Sequence, residues 1–215
     1  MSGGGAGHDP SVCEELAKLG TATVYEAAGR MGMVDLDLVQ VIPGSRAAGP
    51  ARIARCAQGD NLMVHAAMDR LQPGEVLVLT MPEPSPVALV GDLLATQAKG
   101  RGAAAILVDA SVRDVEDLRE LGLPIWARWV RVRGAVKEEI GALDEQVEVG
   151  GAAIVPGDVL VLDEDGVAVV GQDRVDEVLE ASRQRAERER VKRAKLQAGE
   201  LSYDLDGLRD LVEGS

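Results

Sequence analysis

Residues 75–114, EVLVLTMPEPSPVALVGDLLATQAKGRGAAAILVDASVRD, decide the fold. Glu75-Val-Leu-Val-Leu-Thr80 is a short apolar run bounded by Pro73-Gly74, which reads as a buried strand. Pro82, Pro84 and Pro86 then break the chain, and Val87-Ala-Leu-Val90 leads straight into Gly91-Asp92. A helix from Asp92 to about Gly100 precedes the run Ala103 to Val108, a second buried strand. Strand, helix and strand at this spacing predict a right-handed crossover and a partly parallel sheet.

Upstream, Ser11-Val-Cys-Glu14 has the pattern of a capping box that opens a short helix ending near Gly20. Thr23-Val-Tyr-Glu26 repeats it, with a second helix ending near Gly29 or Gly32. A strand-rich stretch runs through Ala51–Ala57, and Asp60 stands where it can cap a helix carrying Leu62, Met63, Ala66 and Met68. Downstream, Val147 to Val170 is punctuated by Gly150-Gly151, Pro156-Gly157-Asp158 and Asp163-Glu-Asp-Gly166, turn residues that predict antiparallel pairing. From Gln172 to about Ala198 the chain reads as one long helix, with Val175, Val178 and Leu179 on a buried stripe. Its second half, Arg183 to Lys195, holds seven Arg/Lys and two Glu. The expectation is a flexible tail over residues 1–10, an α/β domain over 11–171 and a C-terminal helical arm over 172–215.

Composition narrows the partners. Apolar residues make up 46% of 215, enough for a real core, yet there is no Phe and only Trp126, Trp129, Tyr25 and Tyr203 are aromatic. Such a chain lacks stacking platforms for single-stranded nucleic acid, and its net charge of -13 repels phosphate backbones. The basic stripe of the long helix is interleaved by Glu187 and Glu189 and suits a solvated or intersubunit ion-pair helix. No nucleic-acid or membrane partner is expected. No run of eighteen apolar residues occurs and no basic segment precedes an apolar one near the N-terminus, so a cytoplasmic location is expected. Cys13 and Cys56 fit no metal spacing and read as apolar fillers. With only His8 and His65, a metal would rest on carboxylates and water, which favours Mg2+ or Mn2+. His65 is assigned to packing or capping, and no lysine is placed in a crevice position.

Asp92 follows one strand, and Arg113-Asp114 lie just past the next. Neighbouring strand ends of an open α/β sheet converge on one edge, where ligands bind. Two acids and a guanidinium there can hold a hard cation and leave an Arg for a carboxylate or a developing enolate oxygen. Asp92 and Asp114 are equally well placed as helix N-caps, and Asp114-Val-Glu-Asp117 approximates a capping box. The residues alone leave both readings open.

Gly91-Asp92, twenty residues (Leu93 to Val112) and then Arg113-Asp114 resemble the signature of class II pyruvate aldolases acting on 4-hydroxy-4-methyl-2-oxoglutarate and 4-carboxy-4-hydroxy-2-oxoadipate. The superfamily also contains the regulators of ribonuclease E activity. The similarity extends through Thr21–Ala27, Gly59–His65, Pro156–Leu160 and Arg193–Glu200, nearly everything after residue 10. It implies a swivelling-domain-like α/β sandwich with a mixed sheet, assembled as homotrimers or homohexamers with the active site between subunits. In that resemblance Asp114 ligates Mg2+ or Mn2+ directly and Asp92 acts through metal-bound water. Arg113 meets the keto oxygen, and the N–H groups of Leu93 and Leu94, after Gly91, hold the carboxylate of the oxo-acid substrate. Glu26 supplies an acid/base group and Glu200 arrives from a neighbouring arm. Tyr25 stands where the aldolases usually carry histidine, which bears on substrate preference. Three rival readings follow. One is a non-catalytic regulator that binds and inhibits ribonuclease E, against which Glu26 and Glu200 argue. Another is an oxaloacetate decarboxylase, which needs the same enolate sink and is the expected side activity. A methyltransferase finds no support, because no GxGxG-like loop follows an early strand.

Overall fold

The computed structural model describes residues 9–214. Its helices are α1 (Pro10–Leu19), α2 (Thr21–Ala27), α3 (Leu62–Arg70), α4 (Asp92–Gly100), α5 (Val115–Leu121), α6 (Val175–Gln197), α7 (Ser202–Leu205) and α8 (Leu208–Glu213). The strands are β1 (Val39–Gln40), β2 (Ala47–Arg55), β3 (Val76–Thr80), β4 (Ala88–Val90), β5 (Ala105–Val112), β6 (Ile125–Val130), β7 (Ala142–Leu143), β8 (Val147–Val149), β9 (Ala152–Ile154), β10 (Val159–Asp163) and β11 (Gly166–Val170). One mixed sheet runs β1-β6-β5-β3-β2-β10-β11, with β4 paired to β5 and β7 to β2. The β2-β3, β3-β5, β4-β5 and β5-β6 pairs are parallel, and β10 is antiparallel to both β2 and β11. The chain thus has the expected α/β architecture, with a mixed sheet and a C-terminal helix.

Period-two alternation sorts the apolar side chains. Leu77, Leu79, Ile106 and Val108 point to one face and pack with α3, α4 and α5 (Val64, Ala67, Ala95, Ala98, Leu118). Val76, Val78, Ala105 and Leu107 point to the other, which the β8–β9 hairpin closes with Val149 and Ile154. A third cluster joins Val159, Val161, Ala168 and Val170 to Leu16, Val24, Val175, Val178 and Leu179 of α1, α2 and α6. Small and β-branched residues let these layers close without phenylalanine. Cys13 and Cys56 are free and buried, and burial pushes the Cys56 thiol up to about 12, as befits an inert filler. Among the described residues, no helix is long and apolar enough to cross a membrane.

The helix starts differ from the capping-box expectation. Asp9, not Ser11, caps α1: its carboxylate accepts the Ser11 N–H at 2.9 Å, and Pro10 takes the first turn, where no N–H is needed. Of the tail expected over 1–10, residues 1–8 lie outside the described residues, while Asp9 and Pro10 already belong to this helix start. α2 begins at Thr21, so Glu26 sits in its last turn rather than in a capping box. A long-range anchor replaces the local cap. The carboxylate of Asp163, at the end of β10, accepts the Thr21 N–H at 2.9 Å, the Thr21 hydroxyl and the Asp165 N–H at 3.0 Å. Asp163 is buried, so its loss strands several donors. Asp163→Ala is expected to lower unfolding free energy by about 2–4 kcal/mol in urea titrations. A change within about 0.5 kcal/mol, the range of ordinary surface substitutions, would show that α2 is held by packing alone.

Candidate active site

β4 and β5 run parallel, Val90 beside Val112, so the residues that follow them emerge side by side. After β4 comes Gly91 and the first turn of α4, and after β5 come Arg113 and Asp114. The approach is close: a Cβ on residue 91 would stand 2.3 Å from Asp114 Oδ2 and 3.2 Å from Arg113 Nε. A larger residue there would displace the Asp114 carboxylate. Gly134 plays the same part on the far side, where a Cβ would stand 2.8 Å from an Arg113 terminal nitrogen.

Neither aspartate is spent on capping. The N-cap of α4 is Gly91, which has no side chain to cap with, and Asp92 is the first helical residue. Asp114 is the N-cap of α5 by position, yet it adopts left-handed backbone (φ 60°, ψ 43°) and its carboxylate caps nothing in its own helix. That conformation is disfavoured for a side chain with a Cβ. It turns the carboxylate back across the gap to the Asp92 N–H, at 3.3 Å, and to Arg113 Nε, at 3.5 Å. The capping alternative therefore fails for both residues.

A cleft of about 130 Å³ lies in front of this junction. Gly91, Asp92, Leu93, Leu94 and Arg113 form one wall. At the N-terminus of α4, a nine-residue helix, the N–H groups of Leu93 and Leu94 have no acceptor in a preceding turn, and they carry the positive end of the helix dipole. Much of the remaining lining was missed in the sequence. It includes Asn61, the N-cap of α3, and His65 within that helix, together with Gly134, Ala135 and Lys137. His65 is exposed and faces the cleft, a correction to the packing role assigned above. Burial, and then the charge of Lys137, push its pKa below the ordinary value. Lys137 corrects the statement that no lysine reaches the crevice. It does so because residues 133–139, beyond β6, fold back over the start of α3, and no sequence pattern marks that return. The Gly59-Asp60-Asn61 turn signal and the helical spacing from Asn61 to His65 could have found the other two.

Glu26 and Glu200 do not line this cleft in their own chain. Glu26 pairs with Arg30 at 3.1 Å and lies 3.7 Å from Arg185 of α6. Its neighbour Tyr25 lines a separate hollow of about 290 Å³ with Met33, Asp35 and Asp37. Glu200 is exposed just past the end of α6. Among the described residues no group of three or more His, Cys, Asp or Glu side chains converges as a metal cage. Asp92 and Asp114 nevertheless match a hard divalent ion that keeps several water or substrate oxygens and takes only one or two carboxylates from protein.

A family model described as "RraA-like: Aldolase/RraA" matches residues 21–169. A protein from Halalkalibacterium halodurans named "Putative 4-hydroxy-4-methyl-2-oxoglutarate aldolase" is 36% identical over 147 residues, 68% of this chain and 70% of that protein. Among solved structures, Streptomyces coelicolor RraAS2, described as an unusual member of the RNase ES inhibitor RraA protein family, superimposes with a TM-score of 0.76. It is 28% identical and covers 86% of this chain and 96% of its own. The RNA-processing inhibitor RraA from Thermus thermophilis gives a TM-score of 0.59 at 31% identity, covering 65% of this chain and 83% of that one. Sequence and fold agree, and the chain belongs to the RraA-like family of aldolases and RraA proteins.

Proposed function

We propose that the cleft binds a 4-hydroxy-2-oxo diacid of the 4-hydroxy-4-methyl-2-oxoglutarate or 4-carboxy-4-hydroxy-2-oxoadipate type and cleaves it to pyruvate and a second oxo acid. The observation that carries the reading is the release of two carboxylates from capping, beside a guanidinium and a free helix N-terminus. The aldolase name of the 36%-identical relative supports it. Asp114, with Asp92 behind a water, would hold Mg2+ or Mn2+, which when bound supplies a Lewis acid for the 2-oxo acid. The N–H groups of Leu93 and Leu94 receive the C1 carboxylate. A base takes the C4 hydroxyl proton, the C3–C4 bond breaks, and its electron pair moves to the C2 oxygen as an enolate. Arg113 donates to that oxygen as charge develops there. Protonation at C3 completes pyruvate. Oxaloacetate decarboxylation uses the same enolate sink without the hydroxyl proton transfer and is the accompanying side activity.

The base is Glu26 or Glu200 of a neighbouring subunit in a homotrimer or homohexamer, since neither residue lines the cleft of its own chain. α6 supports that arrangement. Val175, Val178 and Leu179 anchor its first half in the core, but its second half is exposed and carries Val191 and Leu196 to solvent. Closed symmetry would give every cleft one donated arm. The RraA neighbours favour a second reading, binding without chemistry to a ribonuclease E. It predicts no pyruvate from any of these substrates.

Protein stripped with chelator and reloaded with Mg2+ or Mn2+ is expected to release pyruvate from 4-carboxy-4-hydroxy-2-oxoadipate and from oxaloacetate, and to lose this activity in chelator. Full turnover in excess chelator would remove the metal from the reading. Arg113→Lys is expected to lower kcat about 100-fold, the typical loss for an oxyanion donor, and to leave KM within about threefold. Near-normal kcat would make Arg113 structural. Finally, inactive Asp114→Ala and Glu200→Ala chains, dissociated and mixed, should regain partial cleavage because some interfaces pair an intact Asp114 with an intact Glu200. Mixed oligomers that form and stay inactive would exclude Glu200 as a group acting across subunits.

A further inference from the structure

Part of the cleft lining is built from a segment without regular structure. Residues 131–141 link β6 to β7 and are largely exposed, a length of chain that would wander if nothing tied it down. Four backbone bonds hold it: Arg131 N–H to Val112 O at 3.0 Å, Ala88 N–H to Arg133 O at 2.7 Å, Asn61 N–H to Val136 O at 2.9 Å, and Val136 N–H to Gly59 O at 3.1 Å. The fifth tie is a side chain. Asp60, 1% exposed, accepts the Glu138 N–H at 2.5 Å and the Glu139 N–H at 3.0 Å through Oδ2, and the Leu62 N–H at 2.6 Å through Oδ1. One buried carboxylate therefore joins the first turn of α3 to the two residues that follow Lys137. The backbone of Lys137 is fixed on both sides, at Val136 and at Glu138.

The side chain so placed lines the cleft, and among the described residues it forms no ion pair. Its charge is felt by both neighbours. Burial raises the Asp60 pKa, but the three N–H groups and Lys137 outweigh it and hold the carboxyl below its ordinary range. Beside Lys137, Asn61 is 7% exposed and donates to Leu89 O at 3.0 Å, while its Oδ1 is buried without a partner. The cleft lining thus carries two cationic side chains, Arg113 and Lys137, besides the N-terminus of α4.

We propose that Lys137 binds the second carboxylate of a 2-oxo diacid, and that Asp60 is the positioning residue that presents Lys137 by clamping residues 138 and 139 to the start of α3. The proposal rests on the oxo-acid reading above and assigns the carboxylate at the far end of the substrate from C1. A charge-assisted contact of this kind is expected to be worth about tenfold in affinity.

The test uses two ligands of equal length that differ in the second carboxylate, 2-oxoglutarate and 2-oxopentanoate, titrated calorimetrically into the Mg2+-loaded full chain. Wild type should prefer the diacid by about tenfold. Lys137→Ala should abolish the preference by weakening 2-oxoglutarate alone, and Lys137→Arg should restore part of it. Asp60→Asn should reproduce the Lys137→Ala pattern and speed hydrogen exchange at the Glu138 and Glu139 amides. In the Lys137→Ala background it should weaken 2-oxoglutarate less than about twofold further, because its effect passes through Lys137. Should Asp60→Asn fail to fold, Asp60→Glu keeps the charge while displacing it and is read the same way. Equal loss of both ligands in the Asp60 variant, or a full additional loss in the double variant, would make Asp60 merely structural and overturn the positioning role. Equal binding of the two ligands by a wild type that releases pyruvate would overturn the Lys137 assignment and leave the oxo-acid reading intact. Binding of neither ligand, with no pyruvate release, would overturn that reading as well.

Discussion

An absent side chain at residue 91 is the constraint on which the site depends. β4 must run close enough beside β5 to pair with it, and the two chains leave the sheet together at Val90 and Val112. At that separation a Cβ on residue 91 would stand 2.3 Å from Asp114 Oδ2 and would push the carboxylate out of its place. With glycine there, the Asp92 N–H can meet the Asp114 carboxylate, and α4 can begin at once with its first N–H groups directed at the same space. The strained left-handed backbone of Asp114 follows from the same demand. The extended backbone of an ordinary N-cap would aim the carboxylate at the first N–H groups of α5 instead. Strain and close approach are thus two aspects of one arrangement, in which a helix gives up its cap so that a carboxylate can serve elsewhere.

Where the chain signals itself locally, the sequence was readable. Leu77 and Leu79 alternate with Val76 and Val78, and the helix Asp92–Gly100 connects β4 to its parallel partner β5. The antiparallel turns at Gly150-Gly151 and Asp163–Gly166 were equally plain, because a sharp reversal needs those residue types. Long-range ties left no such mark. Thr23 and Glu26 imitate a capping box, but α2 begins two residues earlier because Asp163, 142 positions away, reaches Thr21. β5 runs on to Val112 through a register shift, since Ala110 and Val112 also face the helices. β6 went unread although Pro124-Ile-Trp-Ala127 has a strand's composition, and β1 and β7, two residues each, fall below what periodicity can detect.

The same distinction holds within the site. Gly91, Asp92, Arg113 and Asp114 lie at the ends of adjacent strands, so strand order alone brings them together. Asn61, His65 and Lys137 reach the cleft from a helix on the neighbouring strand and from a returning loop. Their convergence is a property of the tertiary path, and of a buried aspartate that fixes it. The basic stripe of α6 shows the reverse case, a sequence feature louder than its role. Arg183 pairs with Glu15, Arg190 with Glu187 and Lys192 with Asp206, so the charges that suggested an outside partner are largely met within the chain.

Charge also sets the kind of ligand the cleft can accept. The chain as a whole is strongly acidic and opposes an approaching dianion. Such a field is screened over about 8 Å at physiological ionic strength, so local groups decide what binds. Locally the balance is different. Arg113 and Lys137 both line the cleft, and the first turn of α4 adds its partial positive charge. Asp92 and Asp114, beside them, are the acids the proposed divalent cation would neutralise. Under that proposal the local charge would turn positive, which is the physical reason an anionic oxo acid is favoured over a neutral sugar or an amine.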